Sequence, residues 1–146
     1  MPVMFHIRFT VLGLALGLGA SVAAADVVVV VLVVSAKNPM ATMNKNQVAD
    51  IFLGKTSRFP DGRQAVPIDL AESSAARDEF YLNVTGKSPS QLKAHWAKII
   101  FTGRGEPPLE VANGAELKKR MADNPNVLGY IERNMVDDSV RVVLVP

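Results

Sequence analysis

The stretch Val27-Val-Val-Val-Val-Leu-Val-Val34 decides how the rest of the chain is read. It is too short for the roughly 20 apolar residues that a membrane span needs. It is also too uniform for a strand with one wet face, where apolar and polar residues alternate. The β-branched side chains favour extended backbone. A strand buried on both faces, as in a parallel sheet covered by helices, is the natural reading. Left uncovered, such a run would be an aggregation hazard. Ser35-Ala-Lys-Asn-Pro39 ends it.

Upstream, residues 1–25 have the three parts of a secretory signal: Arg8 and the amino terminus as a positive start, an apolar run from Val11 to Gly19, and Ala23 and Ala25 before Asp26. Cleavage is expected after Ala25, leaving 26–146 as one mature domain in a bacterial periplasm. No later segment is long and apolar enough to span a membrane.

Downstream, Val48, Ile51 and Phe52 recur at helical spacing, with Gly54 as a stop. Phe59-Pro-Asp-Gly62 is a turn. Ala65-Val-Pro-Ile-Asp69 is a short strand whose Pro67 lacks a ladder N–H, which places it at an edge or limits its pairing to its ends. Ser73 or Ser74 caps a helix running to Gly86. Ser88-Pro-Ser-Gln91 opens the next, as serine cap, proline at the first position and glutamine closing a capping box. Arg104 to Pro108 reads as a polar loop. Asn113 and Glu116 form a third cap-like pair, and Pro125 closes that helix. Strands follow at Val127–Ile131 and Val140–Val145. The order β-α-β-α-α-α-β-β predicts an α/β fold, a mostly parallel sheet flanked by helices.

Composition narrows the function. The chain has 146 residues and no cysteine, which excludes disulfides, thiolate metal sites and a cysteine nucleophile. Sixteen basic residues against 14 acidic ones give a net charge of +2, too even for an electrostatic nucleic-acid binder. Past the leader the only histidine is His95, beside Trp96, and a lone helical histidine is more often a half-buried polar residue than a base. No nucleophile elbow, phosphate loop, zinc-protease motif or dinucleotide fingerprint follows the leader. The neighbouring carboxylates at Asp78-Glu79 and Asp137-Asp138 read as solvated surface. No enzyme, metal site or cofactor is expected.

Anion binding is the stronger signal. In Pro67-Ile-Asp69-Leu-Ala-Glu-Ser73-Ser74-Ala-Ala-Arg77 a strand ends and a serine pair opens a helix. Free amides and the helix dipole attract an anion there, and Arg77 lies one turn in. Ligands of open α/β sheets sit beyond the carboxyl ends of strands. The plainer alternative is a serine cap with Arg77 on the surface. Ser35, Lys37 and Asn38 after the first strand, Gly129 and the exposed Arg104 are further candidates for the same edge.

Several segments together resemble the phosphate-type periplasmic substrate-binding proteins of ABC transporters, in particular their short single-domain members. They are Asn44–Lys55 with its Ile-Phe-Leu-Gly-Lys end, Phe59–Gly62, Pro67–Phe80, Trp96–Gly105 with its Phe-Thr-Gly-Arg-Gly loop, and Leu128–Ile131. The match runs in the same order over nearly all of 27–145. It implies a single lobe of the type 2 periplasmic-binding-protein fold. It also implies a solute-binding protein for phosphate or a related oxyanion, serving ABC-type transport with a permease or a second copy as partner. The serine of the family's oxyanion turn falls on Ser73, its glycine on Ser74 and its threonine on Ala75. The ligand residues implied are Ser73, Ser74 and Arg77, with Ser35, Asn38 and Arg104. Asp69 stands where the family turn has a phosphate-gripping arginine, and Ala71 where it has an acidic residue; a carboxylate facing the ligand repels phosphate. The alternative is a lobe kept for protein contact in an envelope complex, its ligand binding lost.

Overall fold

The computed structural model describes residues 28–146 together with Gly19. The remainder of the expected leader, its cleavage point and Val27 lie outside the described residues. The valine run forms β1, Val30–Ser35, and all six of its residues are buried. After it come α1 (Lys45–Phe52), β2 (Val66–Leu70), α2 (Ala75–Thr85), α3 (Pro89–Phe101), β3 (Leu109–Val111), α4 (Gly114–Asp123), β4 (Val127–Glu132), a 3-10 turn (Arg133–Met135) and β5 (Val140–Leu144).

The sheet order is β3-β2-β4-β1-β5. β2 runs parallel to β3 and β4, whereas β1 is antiparallel to β4 and β5. Four strands therefore share one direction, so the sheet is mostly parallel, and the strand that opposes them is β1. The expectation of a doubly buried β1 holds, but its parallel orientation does not. Burial on both faces reports covering helices, and it says nothing about which way a strand points.

Side-chain alternation on β4 shows how the sheet is covered. At Gly129 a Cβ would meet Leu117 of α4 at 2.5 Å. The next residue, Tyr130, stacks on Phe80 of α2 with ring centroids 4.1 Å apart. Thus α4 covers one face and α2 the other. α1 packs beside α2 through Phe52, whose ring meets Phe80 edge-on at 4.7 Å. α3 packs onto the same core chiefly through the buried Leu92 and Trp96.

The helix starts follow the sequence closely. Asn44 with Gln47 and Ser88 with Gln91 complete reciprocal capping boxes. Asn113 accepts from the Glu116 amide, and Glu116 accepts from the Ala112 amide. One strand went unread, and of the two alternatives for β2 the one in which it pairs only at its ends holds. Arg104 to Pro108 is a loop, but β3 follows it at the sheet edge, a three-residue strand too short to show periodicity. β2 is not an edge strand. Val66 and Pro67 pair with β4, and Ile68 to Leu70 pair with β3, so each neighbour covers one end. The Val66 amide serves Asn126 on the β4 side. Alternation turns the Pro67 nitrogen the other way, where β3 has not begun, and no ladder bond is lost.

Among the described residues no helix is long and apolar enough to cross a membrane. The Gly129 contact supplies a test of the packing. Gly129→Ala drives a methyl into fully buried Leu117 and is expected to cost about 1–3 kcal/mol. Thermal unfolding followed by circular dichroism should show a midpoint lowered by about 5–10 °C, and an unchanged midpoint would contradict this packing.

Candidate functional site

β2 ends at Leu70, the chain turns through Ala71 to Ser74, and α2 starts at Ala75. The Ser74 amide donates to the Ala71 carbonyl at 2.9 Å and closes the turn. Ser74 occupies the N-cap in extended backbone, yet its hydroxyl makes no capping bond. Ser73 is exposed beside it. Two hydroxyls and the start of an eleven-residue helix thus share the carboxyl edge of the sheet.

Behind this turn sits a polar knot. Asp69 is 2% exposed. Its carboxylate accepts from Tyr81 Oη at 2.6 Å and from Tyr130 Oη at 2.5 Å. Tyr130 Oη in turn accepts from the Leu70 amide. The Arg77 guanidinium lies 4.0 Å from Asp69. It donates to the Leu70 carbonyl at 3.0 Å and to Glu110 Oε1 at 2.6 Å. Burial raises the Asp69 pKa, against the pull of both hydroxyls and Arg77. Burial and the Asp69 charge push both tyrosines far above their ordinary range, so they stay protonated and donate. Burial alone would lower Arg77, but Asp69 and Glu110 more than compensate and keep it charged.

These contacts change the expected roles. Asp69 does not face a ligand at the turn; its oxygens are taken up inside the protein. Arg77 is neither a free anion clamp nor a solvated surface residue, because two carboxylates and a carbonyl already engage it. One cation against Asp69 and Glu110 leaves this corner with surplus negative charge.

The other candidates lie elsewhere. β1 opposes β2, so Ser35 and Asn38 fall at the far end of the sheet from Ser73 and Ser74. Ser35 accepts from the Lys37 amide. Asn38 is fully buried, donating to the Pro125 carbonyl and accepting from the Met40 amide and Arg63. Arg104 follows α3 and lines a separate groove with Lys55, Thr56, Ser57 and Arg58. The structure therefore brings together Ser73, Ser74 and Arg77, and it separates Ser35, Asn38 and Arg104 from them. His95 donates from Nε2 to the Leu53 carbonyl at 2.9 Å, tying α3 to the end of α1. Asp137 is held down to about 2 by hydrogen bonds from Lys118 and Ser139. Among the described residues no group of three His, Asp or Glu side chains could hold a metal.

Sequence reasoning missed Tyr81, Tyr130 and Glu110. Tyr81 carried a faint signal, standing four residues after Arg77 on the same helix face. Glu110 carried none, since its contact with Arg77 spans 33 residues.

No protein-family model matches the sequence, and no curated protein does. Solved structures do match. A protein assigned as a phosphate ABC transporter substrate-binding protein, with bound phosphate, from Clostridium perfringens superposes with a TM-score of 0.62 at 22% identity, covering 80% of this chain and 44% of that one. An ABC-type phosphate transport receptor from Vibrio cholerae gives 0.62 at 19%, covering 80% and 45%. PstS from Borrelia burgdorferi gives 0.58 at 13%, covering 80% and 46%. The chain has the fold of a single lobe of such proteins and spans less than half their length.

The polar knot makes a signed prediction. Burial raises the folded pKa of Asp69 above its unfolded value of about 3.9, so its favourable contribution is fully present below that pH and is lost as pH rises through the folded value. The stability of wild type relative to Asp69→Asn should therefore fall as pH rises above the unfolded carboxylate range, measured by urea unfolding at each pH. A difference that grows with pH would show the reverse shift.

Proposed function

We propose that this chain is an exported, non-enzymatic solute-binding lobe that offers the Ser73–Ser74 turn to a small oxyanion such as phosphate, in the setting of ABC-type transport. The observation that carries the reading is the uncommitted Ser74 hydroxyl at the start of α2. The first amides of a helix have no intrahelical partner, and the dipole there favours an anion. The shared fold supports it, since one matching structure holds phosphate. The leader expected at 1–25, with cleavage after Ala25, supports a periplasmic location for 26–146.

In this reading neutral donors carry the ligand, because Arg77 is already engaged by Asp69 and Glu110. An open turn with a surplus carboxylate is a weak site for a dianion, since water screens the attraction and the like charge opposes it. A second wall, from another copy of this chain or from a permease, would enclose the anion and tighten binding. The engaged Arg77 also favours a second reading, a lobe that makes protein contacts and binds no anion.

Calorimetry with phosphate and with sulfate separates the two. Weak, millimolar binding is expected in wild type and its loss in the Ser73→Ala, Ser74→Ala double variant. Glu110→Gln removes an exposed like charge and should tighten binding about threefold. Absence of heat in both wild type and Glu110→Gln at millimolar anion would sink the solute reading and leave the contact module.

A further inference from the structure

Two helices of this fold end alike. α1 runs out through Leu53-Gly54-Lys55 and α3 through Thr102-Gly103-Arg104. Gly54 at φ 76° and Gly103 at φ 67° take the left-handed conformation. Each lets the next residue fold its amide back onto the helix: Lys55 N–H donates to the Asp50 carbonyl at 2.8 Å, and Arg104 N–H to the Ile99 carbonyl at 3.1 Å. Gly54 also packs against Trp96, where a Cβ would lie 3.0 Å from the indole Cη2. The two endings thereby deliver two cations to one groove of about 650 Å³, which Arg58, Thr56 and Ser57 also line. The groove exists because β3 begins only opposite Ile68, leaving the Val66–Pro67 side of β2 uncovered.

Its charge is the opposite of that at Arg77. Lys55, Arg58 and Arg104 face a single acid, Glu106. Against the three cations stand Glu106, the carboxyl-end dipoles of α1 and α3 at roughly half a charge each, and Asp50 at 3.8 Å from Lys55. The positive charge is therefore concentrated on Arg58 and Arg104 rather than spread over the groove. Commitments elsewhere are slight. Lys55 reaches Asp50 only at 3.8 Å, both exposed. Arg58 gives one nitrogen to the Gly62 carbonyl. Arg104 makes no ion pair among the described residues. Pro107, Pro108 and the half-exposed Leu109 add apolar surface, while Trp96 reaches the groove only at its edge.

We propose that this groove is a second site, separate from the Ser73–Ser74 turn, for a small organic anion of the phosphomonoester class. Arg104, Lys55 and the Thr56 and Ser57 hydroxyls hold the anionic head, and Pro108 and Leu109 pack against its apolar body. The volume suits a drug-sized molecule rather than a bare inorganic ion. The site stands independently of the oxyanion reading.

Trp96 is the only tryptophan in the chain and borders both this groove and the pocket beside Arg77. Its fluorescence is therefore read together with the Arg104 variants, which touch only this groove. Phenyl phosphate is the probe, with inorganic phosphate and phenol as separate arms. A saturable change with phenyl phosphate is expected, weaker with inorganic phosphate and absent with phenol. Affinity should fall about tenfold in Arg104→Ala and further in Arg104→Glu, both at an exposed position that leaves the core untouched. It should fall with added salt and stay unchanged in the Ser73→Ala, Ser74→Ala variant. No saturable response to phenyl phosphate would overturn the site, as would equal affinity in Arg104→Glu or loss of the response in the serine variant. An equal response to inorganic phosphate would overturn the phosphomonoester assignment.

Discussion

Asp69 sits out of water one residue before the end of β2, and an ionised carboxylate there is tolerable only if its oxygens are filled. Tyr81 and Tyr130 fill them, from α2 and β4 respectively. One buried group therefore ties together a strand, its neighbouring strand and the helix that covers both. The angle at which α2 leaves the sheet edge depends on that knot, and so does the position of Ser73 and Ser74. Arg77 is drawn in by the same charge, which is why it no longer serves the turn. The aromatic rings of Phe52, Phe80, Tyr81 and Tyr130 pack around the knot at centroid distances of 4.1 to 6.4 Å. They exclude water, and that exclusion raises the cost of removing either hydroxyl.

A division of charge follows. The turn after β2 keeps hydroxyls and helix amides, but its nearest cation, Arg77, is held by Asp69 and Glu110. The groove beside the start of β2 collects bases, because two helices end there on Gly-Lys and Gly-Arg. Net charge near zero hides both features, since the sum over a chain says nothing of how its charges are sorted in space. The solved proteins that share this fold are more than twice as long as the part of them that this chain covers.

Much of the fold was legible. The Ser88-Pro-Ser-Gln91 start, the Asn113–Glu116 pair and the Gly54 stop each act within four residues, so their reading needs no tertiary information. The burial of β1 was legible too, because a run of valines has no polar face to expose. Its direction was not, and neither was β3, which only the neighbouring edge of β2 holds in extended form. The site was legible in part. Ser73 and Ser74 open α2 as read, while Ser35 and Asn38 went to the opposite end with the reversal of β1. Asp69 was read as a charge facing a ligand, since nothing beside it in the chain announces the two hydroxyls that turn it inward.

The sequence alone determined the class of fold, the helix boundaries and the serine turn, because hydrophobic period, caps and glycine stops are local physics. Only the tertiary structure decided where the charges went. Tyr130 reaches Asp69 across 61 residues and Glu110 reaches Arg77 across 33. Contacts of that span are chosen by how strands order and helices pack, and a carboxylate's partners are set by whatever that packing brings within hydrogen-bonding distance.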